Sequence, residues 1–104
     1  LSKGMHTGIT ASCCGFFGPQ GRTLRLPLAR PHKIEKLSTY RYGSLRITNF
    51  EMETGAMYGL ARLLGHQCCS TNLIVANRIT KEVSRNTEQE LDSLIETVLQ
   101  RLTS

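Results

Sequence analysis

The chain has 104 residues, of which 39% are hydrophobic and 20% charged, and its formal net charge is +5. That length holds one domain with a modest core, and the composition is that of a folded globular protein rather than a disordered chain. No run of about 18 apolar residues is present, so the sequence predicts no membrane-spanning helix and no membrane partner.

The positive charge does not predict a nucleic-acid partner. Most of the excess lies in one segment, at Arg22, Arg25, Arg30, His32, Lys33, Lys36, Arg41 and Arg46. These residues are interrupted by Pro, Leu and Glu instead of forming a stripe, and no nucleic-acid-binding motif accompanies them. We therefore interpret them as solvated surface charges.

The four cysteines form two adjacent pairs, Cys13-Cys14 and Cys68-Cys69. Neighbouring side chains on a strand point to opposite faces, so an adjacent pair does not readily close a disulfide. Neither pair has the C-x-x-C spacing of a zinc site, and no histidine stands at a ligand interval. We predict reduced, buried cysteines in a cytoplasmic protein, and no metal.

The N-terminal part of the chain predicts a strand followed by a loop. Residues 5–14 favour a strand because Ile9, Thr10 and Cys13 suit a pleated, half-buried surface. The next eight residues, 15–22, contain three glycines and a proline, which predict a loop.

This loop also carries chemistry, in the order Phe16, Gln20 and Arg22. An aromatic side chain can stack on a flat polar ring while the amide and the guanidinium bond the edge of that ring. The structural alternative is that one phenylalanine fills the core and the arginine is solvated. The spacing of the three residues favours a clamp for a flat polar ring.

The middle of the chain predicts a short strand over 23–28 and a weak helical pattern within 29–42. A second strand is predicted over 45–50. Apolar residues then recur at helical spacing over 52–64, and Gly65 is placed to stop that helix.

The junction between this strand and this helix is the stretch around which the chain is organised. In open α/β sheets, ligands bind where the carboxyl end of a strand leads into a helix. Glu51 and Glu53 stand there two residues apart, so on an extended backbone both carboxylates point to one face. Two carboxylates on one face repel each other, so we predict that a bound group lies between them and interacts with both, such as a sugar diol or a cation.

The C-terminal part predicts a buried strand and a covering helix. Residues 66–77 are nearly continuous in small and apolar side chains, as in a parallel strand covered on both faces, and a right-handed β-α-β crossover would join them to the second strand. Asn77 would then stand at the same sheet edge as the glutamates. Thr87 and Glu90 have the spacing of a capping box, and an apolar stripe follows as far as Leu102.

Four segments in this order resemble the C-terminal part of the uridine phosphorylases, a group within the nucleoside phosphorylase family. They are His6-Thr7-Gly8-Ile9-Thr10-Ala11-Ser12, Phe16 to Arg22, Asn49-Phe50-Glu51-Met52-Glu53 and Ile74-Val75-Ala76-Asn77-Arg78. The resemblance spans nearly the whole chain. It implies an α/β fold of three layers, a mixed sheet flanked by helices, of which residues 1–104 are the C-terminal part of a single domain.

The resemblance implies a role for each residue of the base site. Phe16 would pack against the uracil ring, while Gln20 and Arg22 would bond its carbonyl and imide edge. Val75 and Ala76 would line the base pocket.

At the ribose, the resemblance implies that Glu53 accepts hydrogen bonds from the hydroxyls. Met52 would lie against the sugar and Glu51 would flank the site, and all three residues are assigned to ribose binding. Arg22 and Glu53 are the residues assigned to catalysis. No covalent nucleophile and no cofactor is implied, and phosphate is the co-substrate.

The implied activity is the phosphate-dependent cleavage of uridine to uracil and ribose 1-phosphate. Donors aimed at the base stabilise the negative charge that develops on leaving uracil, and the ribose carboxylate orients the sugar. Purine-cleaving members carry an Asp near the position of Asn77 that donates a proton to the base. An amide does not titrate, which favours uridine over inosine or adenosine.

The chain departs from the family pattern in length. The phosphate site of the family lies in its N-terminal half, and no glycine-rich phosphate loop follows an opening strand here. The chain also begins with Leu-Ser rather than Met. We therefore expect a piece of a larger subunit that is inactive alone, with the N-terminal part of the same subunit as its partner. By resemblance, the subunit would form a dimer or a hexamer.

Other functions stay open at this point. A related enzyme of the same fold could cleave a purine nucleoside, or could act as a nucleosidase without phosphate. The same fold could also serve a noncatalytic role in nucleoside binding or assembly. The simplest alternative is a small basic α/β domain with no site, against which the ordered motifs argue.

Overall fold

A computed structural model describes residues 3–104 of the chain, which fold as α/β. Two compact units are present, one formed by His6–Ser70 and the other by residues 3–5 with Thr71–Ser104. In chain order the elements are β1 (Ile9–Ser12), a single 3-10 turn (Gly18–Gln20), α1 (Lys33–Thr39), β2 (Arg41–Tyr42), β3 (Leu45–Glu51), α2 (Thr54–Leu63) and α3 (Thr87–Thr103).

The three strands form a mixed sheet in the order β1-β3-β2. β1 and β3 are parallel, with Ser12 opposite Glu51, and β2 is antiparallel to β3. Along the first part of β3, half-buried Leu45, Ile47 and Asn49 alternate with exposed residues, which is the period of two that a strand requires. Because β1 and β3 are parallel, the segments that follow them leave the sheet at the same edge.

Helix α2 begins and ends close to the predicted positions. Gly65 has φ of 75°, the left-handed conformation that ends many helices. The N–H of Gly65 donates to the carbonyl of Arg62 at 3.3 Å and the N–H of His66 to that of Ala61 at 2.8 Å. These two bonds form a Schellman motif, so the prediction that Gly65 stops the helix is confirmed.

Two predicted strands are not present in residues 3–104. Residues 23–28 form bends, and Leu24 and Leu26 are 67% and 79% exposed. Residues 66–77 are irregular apart from one antiparallel bridge at Ala76. A strand is stable when a neighbour pairs with its backbone groups, and neither segment has such a ladder among the described residues. The predicted crossover through 66–77 is therefore wrong, and the parallel pair is β1 with β3.

Helix α3 starts at Thr87 as predicted, but the capping box does not form. Its N-cap is Asn86, without a side-chain cap hydrogen bond. The Glu90 carboxylate instead accepts a hydrogen bond from the hydroxyl of Ser84 in the preceding loop. Four residues of the apolar stripe of α3 are exposed, from 45% at Leu91 to 67% at Leu102, whereas Leu94 and Val98 are half-buried.

Within residues 3–104 no hydrophobic side chain is buried, and the buried residues are polar: Gln20 and Thr54, each 6% exposed. All four cysteines are free, but the prediction that they are buried is wrong: Cys13 and Cys68 are half-buried, and Cys14 and Cys69 are exposed. In this part of the chain, no three His, Cys, Asp or Glu side chains gather as metal ligands, and no helix combines the length and apolarity needed to cross a membrane.

Candidate active site

Two of the predicted site segments leave the same edge of the sheet. The loop of residues 16–22 follows β1, whereas Met52 and Glu53 follow β3. The N–H of Cys13 donates to the carbonyl of Glu51 at 2.8 Å, which carries the parallel pairing past the end of β1. The edge where open α/β sheets bind ligands is thus the edge that carries both segments.

Glu51 is the last residue of β3, and its carboxylate caps the helix that follows. Its Oε2 accepts hydrogen bonds from the N–H of Glu53 at 2.7 Å and from the N–H of Thr54 at 2.6 Å. The first N–H groups of a helix have no partner within the helix, and the helix dipole favours a negative charge beside them. The Glu51 side chain supplies both the acceptor and the charge.

These surroundings lower the pKa of the Glu51 carboxyl group. Burial opposes the charged form, but it is outweighed by the hydroxyls of Ser12 and Thr54 and by the N–H groups of Thr54 and Glu53. The pKa falls from its usual 4.5 to about 2 as a result. Only the N–H contacts have full hydrogen-bond geometry, since Oε1 of Glu51 and Oγ1 of Thr54 are buried without a hydrogen-bond partner among the described residues.

Ser12 ties β1 to the start of the same helix. Its Oγ accepts a hydrogen bond from the N–H of Gly55 at 3.0 Å. A Cβ at position 55 would lie 3.1 Å from both Cβ and Oγ of Ser12, so glycine permits the close approach. Sequence reasoning did not assign Ser12 or Thr54 to the site. The available signals were a serine at the carboxyl end of a strand and a threonine at the start of a helix.

Met52 and Glu53 are exposed beside this junction. Met52 is 40% exposed, and the Glu53 carboxylate has no hydrogen bond or ion pair with another residue of 3–104. Glu53 is the N-cap of α2 with φ of −120° and ψ of −32°, so the extended backbone stops at Glu51. The prediction that both glutamates point to one face is wrong for this reason: one carboxylate serves the helix, and the other is open to a ligand.

The loop after β1 brings Phe16, Gln20 and Arg22 together. The Arg22 guanidinium carbon lies 3.7 Å from the centroid of the Phe16 ring. Its Nη1 donates to the carbonyl of Phe16 at 2.6 Å and to Oε1 of Gln20 at 2.7 Å. The 3-10 turn and the left-handed Gly21, with φ of 76°, reverse the chain so that these contacts can form. Arg22 is the centre of this cluster, which we call the base loop.

The base loop buries its amide and exposes its aromatic rings. Gln20 is 6% exposed, whereas Phe16 and Phe17 are 50% and 51% exposed. The two rings meet edge to face, with centroids 5.3 Å apart. Neither ring fills a core, so the structural alternative for this loop is wrong. Lys33 in α1 donates a hydrogen bond to the carbonyl of Pro19 and anchors the loop to that helix.

Val75 and Ala76 belong to the other unit, in which they form one side of a narrow antiparallel turn and are exposed. Asn77 follows them. Its Oδ1 accepts hydrogen bonds from the N–H of Ile79 at 2.9 Å and of Thr80 at 3.1 Å. The amide of Asn77 therefore stabilises the turn itself.

Comparison with known proteins defines the class of this chain. It matches the family model of the phosphorylase superfamily over residues 3–104, and it therefore belongs to that superfamily. The mixed sheet with helices is consistent with the α/β fold expected of the nucleoside phosphorylases.

A curated relative carries a more specific name. The chain is similar to the uridine phosphorylase of Thermococcus kodakarensis, with 34% identity over 88 residues that cover 82% of this chain and 30% of that protein. The chain thus spans about a third of the length of this relative. No solved structure matches the chain.

Proposed function

We propose that this chain is part of a uridine phosphorylase, which cleaves uridine with phosphate to give uracil and ribose 1-phosphate. The observation that carries the proposal is the base loop, because it joins a half-exposed aromatic ring to an amide and a guanidinium within hydrogen-bond distance of each other. Membership of the phosphorylase superfamily supports phosphorolysis, and the similarity to a uridine phosphorylase supports the nucleoside.

In this proposal the base loop recognises uracil. The exposed part of the Phe16 ring packs against the flat base, and Gln20 and Arg22 bond its polar edge. The hydrogen bond from Arg22 to Oε1 of Gln20 sets the orientation of the amide before the base arrives.

The junction after β3 holds the ribose. Glu53 accepts hydrogen bonds from the sugar hydroxyls, and its carboxylate is open to a ligand. Met52, 40% exposed, lies against the sugar, and Glu51 flanks the site. A carboxylate fixed beside the sugar orients it for attack and favours the positive charge that it acquires in the transition state.

The reaction needs no covalent enzyme intermediate. Phosphate attacks the anomeric carbon, the bond to the base nitrogen breaks, and the electron pair of that bond leaves with uracil. The guanidinium of Arg22 stabilises the negative charge that develops on the base. Arg22 and Glu53 therefore act on the two ends of the breaking bond.

The base loop and Asn77 both favour a pyrimidine. Proton donation to a purine ring requires a titrating group, and the amide of Asn77 does not titrate. Its Oδ1 is also engaged by the N–H groups of Ile79 and Thr80. We therefore place uridine ahead of inosine as the substrate.

The phosphate site belongs, in this proposal, to an N-terminal part of a longer subunit. The matched region covers 30% of the Thermococcus relative, which leaves room for such a part. The exposed stripe of α3 offers it an apolar surface to cover. The complete subunit would be cytoplasmic, since free cysteines persist in that compartment. The resemblance to the family implies that it is a homo-oligomer.

The test is uracil release from uridine by the complete subunit that contains this segment, with and without phosphate. We expect release only with phosphate, and a fall of about 10²-fold to 10³-fold in kcat for Arg22→Ala. Arg25→Ala is the matched control, because Arg25 is exposed and lies outside the base loop cluster; it should leave the rate unchanged.

Other outcomes would contradict the proposal in distinguishable ways. Release of hypoxanthine from inosine without release of uracil would assign the site to purines. Release from uridine without phosphate would indicate a nucleosidase. No release from either substrate would favour a binding or assembly role. Phosphate-dependent release by the 104-residue chain alone would contradict the assignment of the phosphate site to another part of the subunit.

A further inference from the structure

The two residues assigned to the sugar lie on a short bend that has to be held in place. Met52 and Glu53 connect β3 to α2 and belong to neither element. An irregular backbone has many conformations unless contacts select one of them. The Glu53 side chain has no polar contact of its own within residues 3–104, so the position of its carboxylate depends on its backbone.

Glu51 supplies the contacts that close this bend. One oxygen, Oε2, accepts the N–H of Glu53 at 2.7 Å and that of Thr54 at 2.6 Å. Hydrogen bonds to an ionised carboxylate are roughly twice as strong as neutral ones. Because both N–H groups meet the same oxygen, the bend and the first turn of α2 are fixed together.

The neighbouring strand braces Glu51 in turn. The N–H of Cys13 donates to the backbone carbonyl of Glu51 at 2.8 Å. One residue earlier, Oγ of Ser12 accepts the N–H of Gly55 at 3.0 Å. The bend is therefore held from both sides, at its strand end and at its helix end.

We propose that Glu51 is a positioning residue for Glu53 and does not itself bind the ribose. Its Oε2 is engaged by two N–H groups and its Oε1 is buried, so the carboxylate is turned into the fold rather than toward an arriving nucleoside. This inference rests on the proposed function, because it takes Glu53 as the group that meets the sugar. Misplacing a catalytic group by about 1 Å can cost about 10²-fold in rate.

The decisive experiment is a double-mutant cycle in the complete subunit, with Glu51→Ala, Glu53→Ala and the double variant. We expect Glu51→Ala to lower kcat/KM for uridine about 10²-fold, mostly through kcat. In the Glu53→Ala background, Glu51→Ala should lower kcat/KM little further, because no carboxylate is left to position. If instead the loss in the double variant equals the product of the losses in the two single variants, the proposal is overturned, since Glu51 would then contact the substrate independently of Glu53.

Glu51→Gln keeps the proposal testable if the alanine variant does not fold. The amide oxygen can still accept both N–H groups, so we expect Glu51→Gln to lower kcat/KM only about tenfold relative to the wild type. A loss of about 10²-fold in this variant would overturn a positioning role for the acceptor oxygen. Glu88→Gln is the matched control, because Glu88 is an exposed acid in the first turn of another helix, α3.

A second measurement separates this inference from the proposed function. In the NMR spectrum of the complete subunit, Glu51→Gln should move the amide proton signals of Glu53 and Thr54 upfield, because their acceptor loses its charge. Unchanged signals would overturn the inference whatever the enzyme does. If the wild-type subunit releases no uracil, the proposed function is overturned, and with it the catalytic part of the inference. The amide signals would still show whether Glu51 holds the bend.

Discussion

The junction after β3 and the base loop leave the same sheet edge, but they are held in opposite ways. The junction, residues 51–55, is fastened to its surroundings, since Ser12 of β1 accepts the N–H of Gly55 and Glu51 caps α2. The base loop is closed mainly by its own residues, with Arg22 bonded to Gln20 and lying over Phe16.

This difference predicts separate roles for the two regions, with the junction orienting the ligand and the base loop selecting it. A group fixed by strands and a helix keeps its position before and after a ligand binds, which suits a carboxylate that has to meet a defined sugar geometry. A loop closed by its own side chains, with rings half exposed, can adjust to the ligand that it recognises. We therefore expect the junction to determine the position of the sugar and the base loop to determine the choice of base.

The largest effect expected at the junction follows from removing the charge of Glu53. Glu53→Gln in the complete subunit should lower kcat/KM for uridine about 10²-fold, because a neutral amide no longer favours positive charge on the sugar. The thermal midpoint should stay the same, since the Glu53 side chain makes no cap hydrogen bond. Steady-state kinetics and thermal unfolding of the same samples test this, and full activity in the variant would contradict the assignment.

A smaller, local effect is expected in the base loop. Arg22→Ala removes the contacts to Gln20 and Phe16, so amide hydrogen exchange should become faster over residues 16–22 and remain unchanged in α2. Hydrogen exchange followed by mass spectrometry on the complete subunit, with Arg25→Ala as the control, tests the prediction. Equal exchange in the loop of both variants would mean that the loop is held by other parts of the fold.

The smallest expected effect concerns stability and pH. The pKa of Glu51 is about 2 in the fold and 4.5 ordinarily, so its charge stabilises the fold above pH 4.5 and this contribution is lost as the pH falls toward 2. In Glu51→Gln this part of the pH dependence should disappear. Thermal unfolding between those pH values tests it, with Glu88→Gln expected to behave as the wild type. An unchanged pH dependence in Glu51→Gln would contradict the assigned contacts.

Local patterns predicted much of the fold in the first unit. The alternation of side chains predicted the strand over residues 45–50, and Gly65 marked the end of α2, because both signals depend on residues close in sequence. The strands predicted over 23–28 and 66–77 did not form. Strand pairing depends on a distant segment that supplies a ladder, which no local pattern can reveal.

Local sequence patterns also predicted only part of the side-chain arrangement at the candidate site. The order of Phe16, Gln20 and Arg22 predicted a polar clamp, and the three side chains do meet. The capping role of Glu51 was missed, because the prediction assumed an extended backbone through Glu53. The chain turns between them, and the direction of a carboxylate follows from that turn.

The sequence by itself determined which residue types stand at the site and in what order: an aromatic, an amide and a guanidinium in one loop, and two carboxylates after a strand. Tertiary structure decided how the carboxylates differ. The parallel pairing of β1 with β3 brings Ser12 to the start of α2, where its Oγ accepts the N–H of Gly55. The N–H of Thr54 at the same helix start donates to the carboxylate of Glu51. A helix start favours a negative charge beside it, so the fold uses the carboxylate of Glu51 there, while that of Glu53 has no hydrogen bond within residues 3–104.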